Sequence, residues 1–203
     1  MTRWVWGRWG SGWRQRLFNS VYRIDAAAPL QAYDKRALVP FAEYWPGPLS
    51  VRPKWLEAAA VTPGTQPALF NAGGCRLGML ICFEAERPDL AREAVRSGAD
   101  ALLVVSNDAD LPLPAVRREI AQARLRAVET GVPVVRAANR GISVVIDRYG
   151  RVLQDGSGKV LHAAISPGRP ALAVNIQPLL LALFWITTGS AILHRLLRLR
   201  RLC

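Results

Sequence analysis

Leu77 to Phe83 is an unbroken apolar run, and it narrows what this chain can fold into more than any other feature. A strand apolar on both faces has to be covered on both, as strands are in a sheet sandwiched between layers. The sequence after it keeps to that scheme. Pro88 to Ser97 has helical spacing, with Pro in its first turn and Gly98 past its end. Ala101 to Val105 reads as a second buried strand. Ala115 to Thr130 reads as a helix with Val116, Ile120, Ala123 and Ala127 on its apolar face, closed by Gly131. Val132 to Ala138, Ile142 to Asp147 and Arg151 to Gln154 read as strands, with Tyr149-Gly150 turning between the last two. The fold class is therefore α/β and layered.

The flanks divide the chain further. Residues 1–18 interleave four Trp with Arg and Gly and read as an irregular basic leader. Residues 19–24 read as a short strand and 25–32 as a small-residue loop. Pro40, Pro46 and Pro48 make 33–48 a shaped loop rather than a helix. A further strand is expected at about Ala171 to Ile176. No charge interrupts Ile176 to Leu193, a length at the lower edge of the roughly 17–25 residues that span a bilayer. The expected organisation is a leader at 1–18, a catalytic-type domain at 19–176, a transmembrane helix at 177–194 and a basic tail at 195–203. Arg195, Arg198, Arg200 and Arg201 put that tail on the cytoplasmic side and the domain outside.

Composition excludes some classes. With 51% hydrophobic and 21% charged residues, the chain can bury a core and is not globally disordered. All but Lys35, Lys54 and Lys159 of its 27 basic side chains are Arg, and its net charge of +12 suits anionic lipid, nucleic acid or an acidic substrate. Cys75, Cys82 and Cys203 give no disulfide framework, and His162 and His194 give no zinc spacing with them. No metal or cofactor site is expected.

Cys82 stands where the apolar run gives way to Phe83-Glu84-Ala85-Glu86, and a strand end beside a turn can present a side chain to a cleft. Cys is equally a common core residue. As a nucleophile it needs a nearby cation or base. Lys35, a rare lysine in an Arg-rich chain, is a candidate cation. Glu43 and Glu84 are candidate carboxylates, to act as base, to position an amine or to serve as surface charges.

Four segments change this balance: YDKRALVPFAEYWP at 33–46, LICFE at 80–84, GADALLVVSNDA at 98–109 and RAVETGVPVVRAANRGISVVIDRYGRV at 126–152. In this order they resemble the apolipoprotein N-acyltransferases, a membrane branch of the nitrilase superfamily, over roughly 17–155. The resemblance implies a nitrilase-type α-β-β-α sandwich, partial here at its N-terminal side, followed by one C-terminal transmembrane helix. It implies a Glu-Lys-Cys triad whose Lys falls on Lys35 and whose nucleophile falls on Cys82, with Glu43 and Glu84 in support. The implied reaction takes an acyl chain from a phospholipid as a Cys82 thioester and passes it to the N-terminal amine of a diacylglyceryl-cysteine lipoprotein. Lys35 would stabilise the oxyanion. The implied partners are the phospholipid donor, the lipoprotein acceptor and the membrane, with no nucleic acid. The implied location is the bacterial inner membrane with the domain on the periplasmic side.

The chain departs from the family pattern in three places. The triad Glu lies upstream of the Tyr-Asp-Lys motif in the family, whereas Asp25 and Asp34 are the acidic residues ahead of Lys35 here. Ala42 replaces a Gly, and Asp110-Leu111-Pro112-Leu113-Pro114 replaces an aromatic stretch. The expectation is a C-terminal piece of a longer protein, or a degenerate copy, with impaired activity. Two alternatives stay open. One is another nitrilase-superfamily amidase or a conjugal-transfer-type relative. The other is a non-catalytic membrane-associated module binding anionic lipid or nucleic acid through its Arg clusters.

Overall fold

The computed structural model describes residues 2–9, 12–24, 29–48, 60–156, 161, 163–171, 174, 184 and 185, with side chains from residue 16 onward. Its elements are β1 (Thr2–Trp9), β2 (Gly12–Arg23), β3 (Gln31–Asp34), β4 (Leu69–Ala72), β5 (Cys75–Ile81), a 3-10 turn (Cys82–Glu86), α1 (Pro88–Arg96), β6 (Ala101–Asn107), α2 (Leu113–Thr130), β7 (Val134–Asn139), β8 (Ser143–Ile146) and β9 (Val152–Gly156). They make a six-stranded sheet in the order β4-β5-β6-β7-β8-β9 and a three-stranded sheet in the order β1-β2-β3.

The centre of the large sheet is parallel: β5 pairs with β6, and β6 with β7. Period-two alternation splits each central strand between two cores. Leu80, Leu102 and Val104 face α1 and α2, where they meet Leu90, Ala91, Val95, Ala123 and Ala127. Met79 and Ile81, with Leu103 and Val105 beside them, face the other way, onto Tyr33 and Val21 of the small sheet. This is why the run from Leu77 is apolar throughout. Full burial of each such aliphatic side chain contributes about 1.5–3 kcal/mol. Gly78 is needed for close packing, since a Cβ there would press on those of Ala94 and Ala99.

α1 starts with Pro88 in its first turn and is capped by Ser97, beyond which Gly98 takes a φ of 102°. α2 starts two residues before its expected Ala115, with Pro114 tolerated in the first turn, and Gly131 closes it in the left-handed region. The described layers are thus a helix pair, the six-stranded sheet and the smaller sheet.

The leader departs from expectation. Residues 2–9 and 12–23 are antiparallel partners, from Thr2 opposite Asn19 to Trp9 opposite Gly12, so the strand read at 19–24 begins much earlier. β3 takes Gln31–Asp34 out of the expected loops. Among the described residues no helix is long and apolar enough to cross a membrane. The expected span at 177–194, apart from Phe184 and Trp185, lies outside the described residues, as do the tail 195–203 and most of the strand expected at Ala171 to Ile176. What is described of that region runs across the ends of the helices: Ala171 N–H donates to the Thr130 carbonyl, and the Arg96 guanidinium donates to the Val174 carbonyl.

Candidate active site

The carboxyl ends of β5, β6 and β7 lie side by side, with Ile81 opposite Val105 and Asn107 opposite Asn139. Ligand sites of open α/β sheets form at this edge. Cys82 is the first residue past β5 and has a φ of 51°. That conformation is uncommon for a residue with a Cβ and marks a sharp strand-to-turn reversal.

Glu84 holds the reversal. It is fully buried, at 0% exposure. One of its oxygens accepts from the Ile81 N–H at 2.8 Å and the Tyr33 hydroxyl at 2.8 Å. The other accepts from the N–H groups of Arg36 and Ala37 at 2.6 and 2.9 Å. Four neutral donors from two segments converge on one carboxylate and fasten the Tyr33–Ala37 segment to the turn that carries Cys82. The buried Tyr33 phenol is pushed above its ordinary range by burial and by the Glu84 charge, which keeps it a donor.

Lys35 belongs to the first of these segments, between Tyr33 and Arg36. Its backbone N–H donates to the Asn19 carbonyl and its own carbonyl accepts from Gly64, both at 2.8 Å. Its side chain is 2% exposed and its ammonium sits 2.7 Å from Glu43 Oε2. Glu43 also accepts from the Val39 N–H at 2.7 Å and from the Asn19 amide at 3.2 Å. Glu43 thus orients the Lys35 ammonium. Of the upstream acidic residues, Asp34 accepts from the Ser20 hydroxyl at 2.6 Å, and Asp25 lies outside the described residues.

A second buried cluster touches the thiol from the helix side, and sequence reasoning missed it. Cys82 Sγ lies 3.7 Å from Glu119 Oε1 on α2. The other Glu119 oxygen is 2.6 Å from the Arg136 guanidinium. Arg136 also donates to both oxygens of Asp108, at 2.8 and 2.9 Å, and to the Ile142 carbonyl. The Ser106 hydroxyl donates to Asp108 at 2.6 Å and lies 3.4 Å from Glu119. Gly141 packs against Asp108 so closely that a side chain there would collide with the carboxylate. The signal was in the helical stripe: 116, 119, 120, 123, 126, 127 and 130 share one face, so Glu119 and Arg126 fall among its apolar residues.

These surroundings oppose one another at the sulfur. Burial pushes the Cys82 thiol up and the Glu119 charge adds to that, while Lys35, the Ser106 hydroxyl and the Phe83 N–H pull it down. The four residues singled out from sequence, Lys35, Glu43, Cys82 and Glu84, belong to this one constellation. Among the described residues no group of His, Cys, Asp and Glu is arranged to hold a metal ion.

The family model for carbon-nitrogen hydrolases matches residues 5–169. The chain belongs to the carbon-nitrogen hydrolase family. This carbon-nitrogen hydrolase is 40% identical over 194 residues to an apolipoprotein N-acyltransferase of Rhizobium meliloti (strain 1021), a match covering 89% of this chain and 36% of that protein. It is 36% identical over 204 residues to the protein of the same name from Brucella melitensis biotype 1, covering 91% of this chain and 38% of that one. The chain thus spans little more than a third of the length of these relatives. In fold it is similar to an amidase of the nitrilase superfamily from Nesterenkonia, with a TM-score of 0.53 and 24% identity over 78% of this chain and 57% of that one. It is also similar to Nit3 of Saccharomyces cerevisiae, with a TM-score of 0.54 and 20% identity over 70% of this chain and 49% of that one. The family match starts inside the segment read as a leader.

Proposed function

We propose that this carbon-nitrogen hydrolase domain carries out the acyl-transfer chemistry of an apolipoprotein N-acyltransferase, with Cys82 as its nucleophile. The observation that carries this reading is the placement of Cys82, at positive φ on a strand end, within reach of the buried Lys35 charge. The names of the relatives, which match most of this chain, support the choice of reaction over amide hydrolysis.

In this reading the Cys82 thiolate attacks the ester carbonyl of a phospholipid. A tetrahedral oxyanion forms, the ester C–O bond breaks, and an acyl-thioester remains on Sγ. The amine of a diacylglyceryl-cysteine lipoprotein then attacks the thioester and takes the acyl chain. Lys35 supplies the fixed positive charge for the oxyanion in both steps. Glu43 aims Lys35, and Glu84 holds the Lys35 segment in register with the nucleophile turn. Close by, a groove of about 340 Å3 is lined by Leu38, Tyr44, Val61 and Pro63 with Arg36 and Arg87, a wall that suits a lipid with an anionic headgroup. Phe41 and Tyr44, exposed beside Glu43, add apolar surface there. The reading places the protein at the bacterial inner membrane with this domain on the periplasmic side and the run at 177–194 as its anchor.

The test is acyl capture. Incubated with phosphatidylethanolamine vesicles carrying a labelled acyl chain, the protein is expected to gain a label that hydroxylamine releases, and Cys82→Ala is expected to gain none. Label retained by Cys82→Ala would remove Cys82 from the mechanism. Hydrolysis of simple amides without acyl capture from lipid would favour the amidase alternative.

A further inference from the structure

We propose that Arg140, with the carboxamides of Asn107 and Asn139, forms a subsite that takes the phosphate of the lipid donor beside Cys82, an assignment that rests on the acyl-transfer reading above. All three residues stand at the carboxyl edge of the central strands. Asn107 ends β6, Asn139 ends β7, and the two are partners in register. Val105 is opposite both Ile81 and Ala137, so the ends of β5 and β7 are two strand spacings apart, about 10 Å across the sheet. In a glycerophospholipid only the glycerol carbons and their oxygens separate an ester carbonyl from the phosphate. A carbonyl at Sγ therefore allows the phosphate to reach the end of β7.

Arg140 is held in a conformation that a residue with a side chain does not favour. Its φ is 53°, in the left-handed region that Gly, Asn and Asp visit most readily. The surroundings impose it. The Asn139 carbonyl accepts from the Asp108 N–H at 2.9 Å, and Gly141 is pressed against the Asp108 carboxylate. The Ile142 carbonyl accepts from the Arg136 guanidinium at 2.8 Å, and the Ala138 N–H donates to the Ser143 hydroxyl at 3.0 Å. The chain is thus pinned on both sides of Arg140, which is itself exposed. Backbone strain kept in place by neighbouring contacts gathers at sites that clamp ligands.

The cluster is rich in donors. Asn107 Oδ1 accepts from the Asn139 amide at 3.2 Å and from the Ala109 N–H at 3.4 Å. These two bonds orient the Asn107 amide and leave both of its own N–H groups to donate. Asn139 keeps a second N–H. Asp108, the carboxylate behind the loop, is engaged by Arg136 and Ser106. Among the described residues Arg140 has no carboxylate partner. Arg36 and Arg87, in the groove on the β5 side, already face Glu93 and Asp89. A guanidinium on a fixed loop beside neutral N–H donors fits an oxyanion, and the phosphodiester is the oxyanion of the proposed donor.

The test compares two donors on the 203-residue chain. Thioester formation at Cys82 is followed by intact mass with dioctanoyl phosphatidylglycerol and with dioctanoylglycerol, which has no phosphate. The chains are the wild type, Arg140→Gln and Arg140→Lys. Arg140 is exposed, so both variants are expected to melt at the wild-type temperature. For Arg140→Gln the phospholipid concentration that gives the half-maximal rate is expected to rise about 10-fold, as for loss of one charge-assisted hydrogen bond, with no change for the diacylglycerol. Arg140→Lys keeps the charge and is expected to stay within a few-fold of the wild type. In parallel, the phosphorus NMR line of hexylphosphocholine, a phosphodiester with no carboxylic ester to cleave, is expected to broaden with the wild type and not with Arg140→Gln. Inorganic phosphate is the second NMR probe. Equal effects of Arg140→Gln on both esters, or none on the phospholipid, would overturn the subsite while leaving the acyl-transfer reading intact. Broadening of inorganic phosphate alone would make this a site for the free ion and overturn the lipid assignment. A wild type that takes an acyl group from neither ester, yet broadens the hexylphosphocholine line through Arg140, would overturn the acyl-transfer reading while the phosphodiester site stands. A hexylphosphocholine line that the wild type leaves sharp would overturn the subsite itself.

Discussion

Glu84 and Glu119 are both buried glutamates at the same nucleophile turn, yet their surroundings differ in kind. Glu84 accepts hydrogen bonds from four neutral donors, and each of its oxygens is taken up twice. Nothing remains for it to exchange, so it acts as a fastener. Glu119 is held through one oxygen by Arg136 and turns the other toward the thiol. The same side chain is tied down at both oxygens where its donors are fixed N–H and O–H groups, and keeps one oxygen against a thiol where a guanidinium holds only the other. Role follows the donors, not the residue type or its distance from the cysteine.

The hardest way to break that contrast is Glu84→Ala. It leaves three backbone N–H groups and the Tyr33 hydroxyl buried without an acceptor, each a desolvation cost of about 1–3 kcal/mol before relaxation. The expected loss is about 4 kcal/mol, a fall in melting temperature of roughly 10 °C for a chain of this size. Thermal unfolding by circular dichroism checks it. A melting temperature within a degree or two of the wild type would mean that Glu84 is not the fastener and that the two glutamates differ less than their partners suggest.

Lys35→Met sharpens the comparison from the other side of the sulfur. Lys35 pulls the thiol down where Glu119 pushes it up, so this variant is expected to move the pH profile of Cys82 alkylation by iodoacetamide to higher pH, whereas Glu119→Gln is expected to move it to lower pH. Its stability cost is expected to be about 2 kcal/mol, below the roughly 3–5 kcal/mol of a fully buried broken pair. Glu43 keeps its Val39 and Asn19 donors and is 16% exposed. Profiles that move in the same direction for both variants would show that the thiol responds to disruption of the site rather than to charge.

The same distinction explains what the sequence made legible. The central strands were readable because Leu80, Leu102, Val104 and Val134 are buried in a sheet covered on both faces, which leaves an apolar run in the text. Lys35 and Cys82 were readable through the order of short motifs, not from their environment. Glu119, Arg136 and Asp108 were not read as a unit, because burial of a charge shows only when its partners are known, and these partners come from three separate elements. Glu119 does lie on the apolar stripe of α2, but helical spacing alone names no partner for it. The pairing of β1 with β2 was missed for a different reason: Gly and Arg between the Trp residues give no clean alternation, and backbone pairing in such a hairpin does not need one.

Tyr33→Phe gives the gentlest test, removing one of the four donors to Glu84 without touching the carboxylate. The expected cost at neutral pH is about 1 kcal/mol. Its sharper consequence is in the alkaline limb. The folded-state phenol is held above its ordinary range, so folded protein keeps a proton that the unfolded chain gives up above about pH 10. The unfolded state therefore binds fewer protons there, and stability falls as pH climbs past that point. Cys82 acts in the same direction, since its thiol is also raised, and the comparison is best made in a Cys82→Ser background. In that background Tyr33→Phe is expected to be less stable at neutral pH yet to lose less on going to alkaline pH, so the two urea-midpoint curves converge. Parallel curves would mean that the Tyr33 phenol loses its proton as readily in the fold as outside it. The Glu84 cage would then be looser than its four donors make it, and nearer in character to the site of Glu119.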